Sequence, residues 1–115
     1  MTEDFRSACI AQGIDVQGTL GRLGGMDALY ERMLSRFAAD GTAAQLASCT
    51  QPDEAFRLAH SLKGMAANLG FTKLSELSGQ ACTLFREGHS DEAMALKDGL
   101  VAEAQRLATF LKERT

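Results

Sequence analysis

The chain of 115 residues carries a net charge of −3, and 45% of its residues are hydrophobic. This length suits one domain with a substantial core, and no apolar run is long enough to span a membrane. The negative charge disfavours nucleic acid and anionic membranes as partners, because proteins that bind them usually present a basic patch. The acidic N-terminus lacks the apolar stretch of a secretory signal, so we expect a cytoplasmic protein with reduced cysteines.

Helix-forming residues dominate the chain, which has a single proline and few β-branched residues, so we predict an all-α fold. One or two short N-terminal helices are predicted within residues 5–23. The apolar periodicity then predicts four longer amphipathic helices, at about 26–50, 53–69, 71–87 and 91–113. Asp40 and Gly41 form a stop signal inside the first of these, so a kinked helix and two separate helices both stay open.

Short connections between these helices favour antiparallel neighbours. We therefore predict a single domain over residues 1–115, an antiparallel up-down-up-down four-helix bundle with the short N-terminal helices packed on one end. On the last helix, Glu103 is expected on the solvated side.

The helix predicted at 53–69 carries an apolar stripe and an unusual opposite face. The stripe consists of Ala55, Leu58, Ala59, Leu62, Met65, Ala66 and Leu69. His60 falls almost opposite this stripe, so we expect its ring to face solvent. Lys63 and Gly64 follow at i+3 and i+4. A glycine inside a helix costs about 1 kcal/mol relative to alanine, so we expect Gly64 to give clearance, since a side chain there would crowd the ring and an incoming partner.

Residues 60–70 read H-S-L-K-G-M-A-A-N-L-G and resemble the H-x-L-K-G-x-x-x-x-x-G signature of histidine phosphotransfer (HPt) domains. The resemblance extends over nearly the whole chain. It implies that His60 is the phosphoacceptor, that Lys63 and Gly64 shape its surroundings, and that Gly70 ends the helix.

The resemblance also implies a role in a two-component phosphorelay. His60 would take a phosphoryl group from a receiver-domain aspartate and pass it to another receiver, so the expected partners are receiver domains and a hybrid sensor kinase. We expect a monomer without a cofactor, with magnesium held by the partner receiver. The sequence has no glycine-rich nucleotide loop and no carboxylate cluster for a metal, so we expect no kinase activity of its own.

Residues around His60 are assigned further roles. We predict that Phe56, Ser61, Ala67 and Cys82 contact the partner, with Phe56 one turn before His60 on the same exposed side. In many family members the residue 22 positions after the histidine is polar and hydrogen-bonds the ring. Here that position is Cys82, a weak donor. Arg86, one turn beyond, is expected to reach a phosphate.

Two other functions are consistent with an exposed helical histidine. A histidine-kinase dimerisation domain would need an acidic residue directly after His60 and usually a proline farther on. Ser61 and the absence of proline after Pro52 argue against it. A receiver-binding adaptor that does not transfer phosphate is the second alternative, which the intact H-S-L-K-G makes less attractive.

Overall fold

The computed structural model describes residues 1–114 and confirms the predicted all-α fold. In the described residues the helices are, in chain order, α1 (Glu3–Ala11), α2 (Val16–Arg22), α3 (Asp27–Ala39), α4 (Thr42–Ser48), α5 (Pro52–Leu69), α6 (Thr72–Arg86), α7 (Ser90–Ala95) and α8 (Lys97–Lys112). The molecule is elongated, with extents of 44 × 25 × 20 Å.

Two of the predicted long helices are broken. Over 26–50 the structure has two separate helices, which decides between the two possibilities left open, whereas the prediction of one continuous helix over 91–113 was wrong. The first is divided between α3 and α4, where Asp40 takes an extended conformation. Its carboxylate accepts a hydrogen bond from the Thr42 N–H at 2.8 Å, which starts a new helix. The second begins at Ser90 and is divided at Leu96, whose N–H donates to the Ala93 carbonyl at 3.0 Å. Such a three-residue turn is tighter than an α-helix and interrupts it.

Helix α5 begins and ends as its sequence predicts. Pro52 lies in its first turn together with Asp53 and Glu54, where acidic side chains favour the positive end of the helix dipole. Gly70 follows in the left-handed conformation. The predicted apolar stripe is buried except at Met65, which is half-buried. The opposite face of α5 is therefore left free for other contacts.

A buried tyrosine joins α3 to the end of α5. The Tyr30 hydroxyl is fully buried and donates a hydrogen bond to the Leu69 carbonyl at 2.7 Å. Burial raises the pKa of Tyr30 to about 12, so the hydroxyl keeps its proton and remains a donor. The rings of Phe37, on α3, and Phe71, directly after α5, also pack edge to face, with centroids 4.8 Å apart. The hydrogen bond from Tyr30 satisfies one of the carbonyls that every helix C-terminus leaves unpaired.

Glu103 is buried, not solvated as its position on α8 indicated, with only 6% of its surface exposed. Two nitrogens of Arg106 donate to its two carboxylate oxygens, both at 2.9 Å. The same guanidinium donates to the Gln12 carbonyl at 3.2 Å. A buried charge requires a partner, and here the ion pair also ties α8 to the chain that follows α1.

The turn between α5 and α6 holds the N-terminal helices against the bundle. Gly70 has a φ of +81°, and its carbonyl accepts a hydrogen bond from the Asp15 N–H at 2.8 Å. Ile14 and Phe71 form an isolated antiparallel bridge beside it. A Cβ added at Gly70 would lie 2.4 Å from the Thr19 hydroxyl and 2.6 Å from the Asp15 carbonyl oxygen. The close approach of the two chain segments therefore requires glycine.

We expect Gly70→Ala to destabilise the fold more than Gly88→Ala. Both glycines have positive φ, but a Cβ at Gly88 would meet nothing within 4 Å. The left-handed conformation alone should cost Gly88→Ala roughly 1–2 kcal/mol, and the additional contact should raise the cost of Gly70→Ala to about 3 kcal/mol. Urea denaturation followed by circular dichroism measures both, and equal losses would contradict the contact.

Candidate functional site

The exposed face of α5 displays the residues of the H-S-L-K-G sequence. His60, Ser61, Gly64 and Ala67 are exposed, and Lys63 is half-buried. The imidazole thus lies outside the bundle, on the continuous helix α5. The preceding residue, Ala59, is buried in the core. A ring held on rigid secondary structure and open to solvent is accessible to a bulky partner.

Gly64 borders open space. A Cβ built at this position would meet nothing within 4 Å, the His60 ring included. The expectation that any side chain at Gly64 would crowd the ring is therefore wrong for alanine in the free protein. Nothing in the packing of the fold requires a glycine here, although alanine is the better helix former.

The Lys63 side chain lies across the seam between α5 and α6. Its Cε is 3.9 Å from the position that a Cβ on Gly79 would occupy. The side chain is half-buried, and its aliphatic stem lies against α6, as lysine stems commonly lie along apolar surface. A cation is thus held close to the face that carries His60, one turn along the same helix.

Three rings from two helices meet at the N-terminal side of His60. The Phe56 and His60 centroids are 6.4 Å apart with the ring planes at 60°. Phe56 also packs against Phe85 of α6, at 5.6 Å between centroids. Phe56 is half-buried against the core, which corrects its expected position as a freely exposed aromatic. Its surface is shared between the fold and the site.

Arg86 brings a second cation to the same place from α6. Its side chain is exposed, and the guanidinium carbon lies 5.9 Å from the centre of the Phe56 ring. This distance is typical of a cation–π contact. The structure therefore brings Arg86, Phe56 and His60 together.

Cys82 does not belong to the accessible surface. It is fully buried, so the prediction that it contacts a partner directly was wrong. The physical reason is the rotation of α6, which directs Ser78 and Cys82 into the interior and leaves Leu77, Leu84 and Phe85 half-buried. Desolvation raises the pKa of the Cys82 thiol, although the nearby charges of Lys63 and Arg86 act to lower it. Cys82 is therefore an interior residue of α6.

Two contacts at this face could not be predicted from the sequence. Phe85 reads as an ordinary core position of α6, yet it forms the second wall against Phe56. Arg22 of α2 donates to the Ala67 carbonyl at 3.2 Å, which adds a cation two turns beyond His60. Both depend on how separate helices pack, and periodicity along one helix carries no information on that.

Burial predicts that the thiols are unreactive in the native protein. Cys9, Cys49 and Cys82 are all free and buried, and burial raises the pKa of Cys9 to about 11. Because the thiolate is the reactive form, we expect Ellman's reagent to label none of the three rapidly at pH 8 and all of them after unfolding in guanidinium. Rapid labelling of one thiol in the native protein would contradict the burial.

Comparison with known proteins identifies the family. A family model described as Hpt domain matches residues 25–110. No curated protein and no solved structure gives a significant match. Within residues 1–114, none of the helices is both long and apolar enough to cross a bilayer, and no group of three potential metal ligands occurs. Since the match covers most of the chain, the protein belongs to the Hpt domain family, which implies a phosphotransfer role in two-component signalling with receiver domains and kinases.

Proposed function

We propose that His60 is the phosphoacceptor of a phosphorelay, taking a phosphoryl group from one receiver-domain aspartate and giving it to another receiver. A hybrid sensor kinase would stand upstream. The observation that carries the proposal is the exposed imidazole at the histidine of the family motif, on an uninterrupted helix of a chain that matches the Hpt domain. We further propose that the protein is a cytoplasmic monomer and that its helices form an antiparallel up-down-up-down bundle.

The proposed reaction needs little from this chain beyond the nucleophile. One nitrogen of a neutral imidazole attacks the phosphorus of the aspartyl phosphate, and neutral histidine is available near pH 7. The N–P bond forms as the P–O bond to the aspartate breaks, which leaves a carboxylate on the donor. The second transfer reverses these steps onto another aspartate. In-line approach and charge neutralisation dominate such transfers.

The residues around His60 can meet part of the need for charge neutralisation. Lys63 and Arg86 would screen the phosphoryl oxygens from two helices. We propose no metal or cofactor for this chain, and magnesium would be held by the partner receiver. Ser61, Ala67 and the open surface at Gly64 would contact the receiver. Phe56 would offer the receiver only its exposed edge.

Substitution of the two histidines tests the phosphoacceptor. We expect His60→Gln to abolish acid-labile labelling by receiver domains from the same genome that have been charged with radiolabelled acetyl phosphate. His89, the chain's second histidine, is also exposed and directly precedes α7 as its N-cap, so His89→Gln is the matched control and should keep the label. Equal labelling of wild type and His60→Gln would refute the proposal, and binding of a receiver without any label would favour the adaptor alternative.

Gly64→Ala separates docking from folding. Because a Cβ at Gly64 meets nothing, we expect the free energy of unfolding to stay constant or rise by up to about 1 kcal/mol, as helix propensity dictates. Transfer from the receiver should slow at least about 10-fold if a methyl group displaces the incoming phosphoryl group.

The control for Gly64→Ala is Gly99→Ala. Gly99 is an exposed glycine in the first turn of α8, also with open space around its Cβ position. It should change stability in the same direction while leaving transfer unchanged. Wild-type transfer rates in Gly64→Ala would show that the clearance at this position serves no partner.

A further inference from the structure

The exposed His60 ring has one aromatic partner among the described residues, Phe56. Within residues 1–114 the imidazole forms no hydrogen bond or ion pair, and its one ring contact is with Phe56. Cys82 occupies the position expected to hold the ring in this family, but it is fully buried. The orientation of the imidazole must therefore come from packing.

The Phe56 contact has the geometry of an attractive aromatic pair. Rings prefer edge-to-face arrangements with centroids 4.5–7 Å apart, and Phe56 and His60 meet at 6.4 Å and 60°. Phe56 is itself fixed, since it is half-buried and packs against Phe85 of the neighbouring helix. A ring held on two helices is a firm support for a side chain that is otherwise exposed.

The same ring also holds a cation. The Arg86 guanidinium carbon lies 5.9 Å from the Phe56 centroid, so one aromatic side chain contacts both the nucleophile and a positive charge. Without this contact, the exposed Arg86 side chain would sample many rotamers. Phe56 thus couples two groups that belong to different helices.

We propose that Phe56 is a positioning residue for phosphotransfer, which fixes the plane of the His60 ring and holds the Arg86 guanidinium beside the phosphoryl group. This inference rests on the proposed function of His60. Phosphoryl transfer depends on alignment of nucleophile, phosphorus and leaving group, and small misplacements lower its rate strongly. Phe56 in this role replaces a hydrogen bond to the imidazole by an aromatic contact.

Phe56→Leu tests the proposal in the full chain. In the proton NMR spectrum, the His60 ring signals should lose the ring-current shift that a neighbouring phenyl group causes. With the receiver that labels wild type fastest, the maximal transfer rate should fall about 10-fold, while the receiver concentration at half-maximal rate should change much less, since only the edge of Phe56 faces the receiver. Phe56→Tyr, which keeps the ring, should restore both the NMR shift and the rate.

Arg86→Gln measures the coupling between the cation and Phe56. It should slow transfer in the wild-type background and have little further effect in Phe56→Leu, because Arg86 has already lost its support there. Full additivity of the two substitutions would overturn the claim that Phe56 holds Arg86.

Phe5→Leu is the matched control for the loss of an aromatic ring. Phe5 is also half-buried against the core but lies on α1, so it should alter stability without moving the His60 signals. Unchanged His60 signals in Phe56→Leu would overturn the proposal. A higher half-maximal receiver concentration with an unchanged maximal rate would also overturn it, because Phe56 would then be a docking residue. If neither receivers nor phosphoramidate label wild type at His60, the proposed function itself fails, while the NMR comparison still reports on the ring contact.

Discussion

The pairing of α5 with α6 is the constraint on which both the fold and the candidate site depend. Helix α5 buries one stripe in the core, and the same helix must leave its opposite face free for His60. Helix α6 lies beside that free face and turns Cys82 inward, which places Phe85 and Arg86 next to Phe56. Because one packing arrangement sets all of these positions, the site is a property of the helix pair.

Gly70 and Gly64 belong to the same motif, but the physical reasons for a glycine at the two positions differ. Gly70 is required by the fold, since its positive φ and the close approach of Asp15 exclude a side chain. Gly64 has open space around it, and helix propensity favours alanine there. A glycine that packing does not require, at a place where it lowers helix stability, fits selection for the approach of a partner. The sequence pattern alone treats both alike.

Properties that lie along one helix could be predicted from the sequence. The limits of α5, its buried stripe and the exposure of His60 all follow from periodicity and end signals. Properties that depend on two helices could not. Burial of Glu103 depends on Arg106 reaching the chain after α1, and burial of Cys82 depends on the rotation of α6. The break after α3 was visible at Asp40, but only the structure decides between a kink and a new helix.

An exposed side chain that must keep one orientation poses an energetic problem, which the contact between Phe56 and His60 reduces. A histidine open to a partner cannot be fixed by burial, and hydrogen bonds to water leave its rotamers free. A contact with a ring that is itself anchored in the core restricts the imidazole without covering it. If the partner receiver supplies the metal and most of the charge, alignment is the main contribution left to this chain. Half-buried Phe56 joins the core to the exposed face, so under the proposed function a single aromatic side chain would affect transfer without touching the phosphoryl group.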